Sequence, residues 1–218
     1  MNSLVIGSGE VGKALYNVLS NHHTTWIRGK QDLDLQPSIS PEIIHICFPY
    51  SDEFVEQVKS YQKQYKPRYT VIHSTVPVGT TTGCKAHHSP IRGVHPHLEE
   101  GLRTFIKYLA PANQELKEYF EKAGIKIKLI DRPENTEALK LWSTTQYGRA
   151  IELEKEIHKY CEERGLDFNI IYTEANKTYN EGYEKLGMGY VRRPILKHIK
   201  GDIGGHCVLP NYKLLNKE

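Results

Sequence analysis

The sequence predicts an α/β protein, a doubly wound parallel sheet followed by a smaller, mostly helical domain. Three observations carry this expectation. A glycine-rich turn stands between a strand-like run and a helix-like run at the N-terminus. Short apolar runs then alternate with runs of helical period as far as residue 132. From Glu134 to Gly165 a stretch with helical periodicity carries one internal glycine, Gly148, and no proline. The domains are accordingly expected over 1–132 and 133–218.

The first element is the most informative. Ser3–Ile6 reads as a buried strand, and Gly7-Ser8-Gly9-Glu10-Val11-Gly12 follows at once. Val11, Leu15, Val18 and Leu19 then recur at helical spacing. Strand, G-x-G-x-x-G and helix in this order form the dinucleotide-binding fingerprint of a Rossmann-type sheet. The first glycine permits the tight turn, the second lets the backbone approach a pyrophosphate, and the third lets helix and strand pack closely. The N–H groups of the helix start would hold the phosphates.

The second strand, "TTWIR", ends at Arg28, where an acid for a ribose 2′-hydroxyl is expected and missing. Arg28 and Lys30 suit a 2′-phosphate instead, so NADP is favoured over NAD, with Asp32 and Asp34 near enough to keep NAD open. "EIIHICFP" (42–49) reads as a third strand and Ser51 as the cap of a helix reaching Tyr65. "YTVIHS" (69–74) is a fourth strand leading into "TVPVGTTT". "NQELKEYFEKAG" reads as a helix and "IKIKLI" (125–130) as a further strand of the sheet. Ligands of such sheets lie beyond the carboxyl ends of the strands. Phe48, Pro49, Tyr50, Ser74, Thr75 and Val76 are therefore expected around the cofactor. After the long helix a second one is expected over about 168–186, and the last 30 residues are read as short elements and loops.

Composition narrows the function classes. Charged residues make up 25% and hydrophobic ones 39% of 218 residues, with net charge +3, as in a soluble globular protein. Apolar runs stay short of the roughly 20 residues needed to span a bilayer, and no basic leader precedes the first strand. Neither a membrane nor a nucleic-acid partner is expected. Four scattered cysteines without a C-x-x-C pair fit a reducing, cytoplasmic setting. The basic run "VRRPILKHIK" (191–200) suits either an anion or a solvated face. His95, His97 and His206 beside Cys207 carry no metal-site spacing, so no metal is expected.

Several motifs resemble those of the UDP-glucose/GDP-mannose (nucleotide-sugar) dehydrogenase family. "STVPVGTT" (74–81) is close to that family's S-T-V-P-x-G-T segment, "EALKLWSTT" resembles its lysine-bearing helix, and "IGGHC" (203–207) resembles its catalytic-cysteine segment. The order and spacing agree over most of the chain. The resemblance implies NAD(P)-dependent oxidation of an alcohol through an aldehyde. Cys207 would form a thiohemiacetal and then a thioester, Lys140 would stabilise the developing oxyanion, and Thr75 would offer an active-site hydroxyl. It also implies a homodimer through the long helix, and a small-molecule substrate, anionic or nucleotide-linked.

The departures are specific. The family's asparagine four residues after the lysine is Thr144 here, and its aspartate four residues after the cysteine is Asn211. In "SPIRGVH" (89–95), Ile91 and His95 stand where glutamates are usual, leaving His95 as the candidate general base. The chain runs 11 residues past Cys207 (218 − 207), short of the family's second nucleotide-binding domain. The expectation is a smaller substrate, or a second chain that supplies that site. Two other readings stay open. One is a two-electron hydroxyacid-type dehydrogenase or reductase that keeps Lys140 and does not need Cys207. The other is a dinucleotide-binding sensor or subunit without catalysis.

Overall fold

The computed structural model describes residues 1–30, 39–93, 96–201, 211 and 214–215. The chain divides into two compact units, Met1–Leu141 and Trp142–Glu218.

The first unit is built on a parallel sheet of five strands, β1 (Ser3–Ile6), β2 (Thr25–Arg28), β3 (Ile43–Ile46), β4 (Tyr69–Ile72) and β5 (His87–His88). Their order is β2-β1-β3-β4-β5. Such a sheet is covered on both faces, so its central strands read as continuous apolar runs. "SLVI" and "IIHI" are indeed fully buried. Side chains alternate between two cores. Val5, Ile43 and Val71 pack with α1 (Glu10–Ser20), α4 (Leu98–Thr104) and α5 (Gln114–Lys122). Leu4, Ile6, Ile44, Ile46 and Ile72 pack on the other face with Phe54, Val58 and Tyr65 of α2 (Phe54–Tyr65).

Local sequence explains the helix limits. α1 buries Ala14, Leu15, Val18 and Leu19, one apolar stripe at 3.6-residue period. α2 begins at Phe54, whose N–H donates to Ser51 O, while the Ser51 hydroxyl turns to Glu53 at 2.9 Å and leaves the helix start without a side-chain cap. α5 starts where the Asn113 side chain accepts the Leu116 N–H at 2.9 Å.

The strand expected over 125–130 forms as β7 (Ile127–Leu129), but it pairs with β6 (Lys107–Leu109) in a separate two-stranded parallel sheet. The short run Lys107–Leu109 supplies its partner, and an antiparallel bridge between His88 and Ala110 joins that piece to β5.

α3 (Thr80–Gly83) follows β4, and α6 (Pro133–Arg164) is the long helix, beginning in the first unit. In the second unit the remainder of α6 is followed by a π-helical turn (Asn169–Glu174) and α7 (Ala175–Lys185). There the Lys155 ammonium donates to the carbonyls of Ile199 and Gly201 at 2.7 and 2.6 Å. His198 pairs with the buried Glu154 at 2.8 Å and stacks on His158 with ring centroids 3.5 Å apart.

Candidate functional site

The carboxyl edge of the five-stranded sheet collects most of the residues singled out by sequence. At β1, Gly7 holds φ +111, a conformation that side chains rarely adopt, and its N–H donates to Arg28 O at 2.8 Å. A Cβ on Gly12 would stand 1.7 Å from Gly7 O, so only glycine lets α1 approach the turn. Above Gly9 the space is open, with nothing within 4 Å of a built Cβ, and Gly9 caps α1 with no side-chain bond. An uncapped 11-residue helix facing open space fits a phosphate-bearing ligand. Ser8, Gly9 and Glu10 are exposed there, and Val11 is half-buried against the core.

Arg28 ends β2, 8% exposed, with Nη1 donating to the Tyr65 hydroxyl at 2.6 Å and its guanidinium 5.7 Å from the Tyr61 ring centroid. Among the described residues no carboxylate bonds it. A guanidinium held between two tyrosines and bonded to no described carboxylate is a ready anion partner. Lys30 is exposed beyond it. Asp32 and Asp34 lie outside the described residues.

Beyond β3, Phe48 is half-buried against Phe54, with Pro49 and Tyr50 following. The Ser74 hydroxyl, past β4, donates to Phe48 O at 2.5 Å and thereby joins the two strand ends. Thr75 is half-buried and Val76 fully buried.

α6 brings its own first turns to this edge. Lys140 donates to Ile91 O at 2.9 Å, and Thr136 bonds Nδ1 of His88 at 2.8 Å. Glu137 is fully buried and accepts the N–H groups of Gly79 and Thr81, each at 2.7 Å. Burial pushes its carboxyl up, and these bonds pull it back.

Beneath the edge lies a polar network that the sequence reading did not single out. Lys107, 3% exposed, donates to Pro90 O at 3.1 Å and to Ser89 O. Ser89 O also faces His73 Nδ1 at 2.7 Å, His73 Nε2 faces His45 Nδ1 at 3.0 Å, and His45 Nε2 faces the Tyr119 hydroxyl at 3.3 Å. Because a carbonyl only accepts, His73 carries its proton on Nδ1. His45 must then also carry its proton on Nδ1, while the Tyr119 hydroxyl gives its single proton to Ser3 Oγ at 2.8 Å, so His45 Nε2 lies beside that oxygen without receiving a proton from it. Burial lowers His45 and His88 to about 3, and takes His73 and the Lys107 amine well below their usual ranges. The three imidazoles are neutral and, like Lys107, enclosed, and these groups serve the core rather than a ligand.

In the second unit, Asn211 is buried and its Nδ2 lies 3.3 Å from the Thr144 hydroxyl. Two of the four positions that depart from the resembled pattern thus touch each other, with the amide on the C-terminal segment and the hydroxyl on the helix. Cys207, His206 and His95 lie outside the described residues. The basic run is divided: Arg192 pairs with Glu184 at 3.2 Å, and Arg193 lies 3.6 Å from the Tyr179 ring centroid. A cavity of about 460 Å³ lies within this unit between Leu153, Ile157, Tyr160, Ile171 and Arg193, and none of the described residues expected at the site lines it. No cluster of metal-ligating side chains occurs among the described residues.

No family model and no curated sequence matches the chain. Solved structures do. A UDP-D-ManNAc dehydrogenase from Pyrococcus horikoshii superposes with a TM-score of 0.74 at 16% identity, over 100% of this chain and 65% of that one. The UDP-N-acetyl-mannosamine dehydrogenase Cap5O from S. aureus gives 0.63 at 15% identity, over 98% of this chain and 65% of that one. A Streptomyces aurantiacus imine reductase gives 0.66 at 12% identity, over 87% and 76%. The fold is that of Rossmann-type dehydrogenases, similar to nucleotide-sugar dehydrogenases, and the chain spans 65% of the length of the two sugar dehydrogenases.

Proposed function

We propose that this chain is an NADP-dependent oxidoreductase acting on an alcohol or aldehyde group of a small, anionic substrate. The observation that carries the reading is the carboxyl edge of the sheet, where a helix start without a side-chain cap stands beside a buried Arg28 that no described carboxylate bonds. Gly7 to Gly12 would hold the pyrophosphate, and Arg28 and Lys30 the 2′-phosphate. Phe48 to Tyr50 and Ser74 to Val76 would flank the remaining half. The nicotinamide, when bound, supplies the hydride acceptor. Lys140 is the group of this chain that would hold positive charge at the reacting oxygen, with Ile91 O orienting its ammonium. Thr75 and Thr144 are assigned as flanking hydroxyls, and His95 as the candidate base. A covalent step would fall to Cys207.

The test is turnover of NADP with a panel of sugar nucleotides, hydroxyacids and simple aldehydes, read by reduced-nicotinamide absorbance. Lys140→Met is expected to abolish turnover. Cys207→Ala is expected to stop any oxidation that runs to the carboxylate and to spare a two-electron reaction. Dinucleotide binding without turnover on the whole panel would favour the sensor reading. We also assign the exposed Trp142, Tyr147, Leu153 and Tyr160 of α6 to contact with a second copy, and a monomeric mass in light scattering would refute this.

A further inference from the structure

We propose that Glu137 is a positioning residue that fixes the nicotinamide-side loop, Ser74 to Thr81, against the helix that carries Lys140. The inference rests on the oxidoreductase reading and extends it. The order of strands along the sheet lays out a track: Arg28 at β2, the glycine turn at β1, Phe48 at β3 and Ser74 at β4. A dinucleotide with its 2′-phosphate at Arg28 and its pyrophosphate on α1 reaches β3 and β4 only with its other half. The loop after β4 therefore meets the reacting end, and whatever holds that loop holds the geometry of the reaction.

Three side chains of the first turns of α6 bond the loop or residues that follow it. Glu134 accepts from the Thr82 hydroxyl at 3.1 Å on the outside, and Thr136 bonds His88. Only Glu137 takes hold of loop backbone, with each carboxylate oxygen on a different N–H at 2.7 Å. Both oxygens accept, so the group acts as a carboxylate; a protonated acid would turn an O–H toward one of the two donors. Charge-assisted bonds of this length are roughly twice as strong as neutral ones, and here they are shielded from water. Lys140 lies three residues further along, on the same face of the helix. The spacing between the loop and the ammonium is thus set by one buried carboxylate. The same bonds fill the start of α3 from within, so that end is not open to a ligand anion.

The test compares two probes, NADPH and 2′,5′-ADP, by calorimetry on the wild type, Glu137→Gln and Glu134→Gln. The amide of Glu137→Gln keeps one acceptor and sets an NH2 against the other N–H. Its NADPH dissociation constant is expected to rise about tenfold, that of 2′,5′-ADP to stay within about twofold, and Glu134→Gln to change neither. Loss of affinity for both probes, or for neither, in Glu137→Gln would overturn the proposal. Wild-type protein that binds neither probe would instead overturn the oxidoreductase reading. If Glu137→Gln does not fold, hydrogen exchange on the wild type decides. The Gly79 and Thr81 amides should exchange more slowly with NADPH than with 2′,5′-ADP, and equal rates would refute the assignment.

Discussion

Lowering the pH from about 7.5 to about 5.5 should cost the first unit about 3 kcal/mol of stability through buried His45 and His88, with buried His73 adding to the loss. His45, His73 and His88 are fully enclosed, and burial holds their protons off well below the usual value of 6.5. In the unfolded chain they titrate near that ordinary value. Above it both states are neutral and stability is unaffected. Below it only the unfolded chain takes up the proton, so stability falls as pH falls. For an unfolded pKa of 6.5 and a folded value near 3, His45 and His88 each cost about 1.4 kcal/mol over this interval, and His73 adds a loss of the same sign. The assay is urea unfolding followed by Trp26 in a Trp142→Phe background, which isolates the first unit's signal, since the sequence holds two tryptophans. In His45→Gln the pH-dependent loss should shrink by about 1.4 kcal/mol, whatever the variant's absolute stability. An unfolding free energy that is equal at both pH values would refute the neutral, buried network.

Three further outcomes follow from the same geometry. Lys107→Met should flatten the alkaline side: burial lowers the folded amine below its ordinary value of 10.5, so wild-type stability rises with pH toward that value, by at most about 1.4 kcal/mol per pH unit. Parallel wild-type and variant curves would contradict that. Gly12→Ala should cost about 3 kcal/mol or prevent folding, because the new Cβ meets Gly7 O, and unchanged denaturant midpoints would refute the close packing of α1. Asn211→Ala should destabilise the second unit by about 1 kcal/mol, an effect that largely disappears in a Thr144→Val background if the two side chains act as a pair.

Much of this was legible in the sequence because each element obeys a local rule. The β1–α1 turn, the apolar stripe of α1, the alternating strands and the long α6 follow from glycine placement and periodicity. The assignment of β7 to its own small sheet was not legible, since partner choice depends on where Lys107–Leu109 lands and three residues carry no pattern. The histidines of β3 and β4 look like isolated polar interruptions in apolar runs. Period-2 alternation could have placed His45 and His73 on one face, but their common neighbour Phe120 comes from a helix more than 40 residues later. Glu137 carried a weak signal, an acid three residues before a singled-out lysine, but its partners on the loop are non-local. "GDIGGHC" stands as a sequence resemblance, because residues 202–210 lie outside the described residues.

The most direct measurement is calorimetric titration of the purified protein with NADP, NADPH, NAD and NADH, repeated on Arg28→Ala. The account predicts that NADP and NADPH bind more tightly than NAD and NADH, and that Arg28→Ala removes most of that preference while leaving NAD binding within about twofold. Absence of binding to all four, or an NADP preference that survives Arg28→Ala, would contradict it.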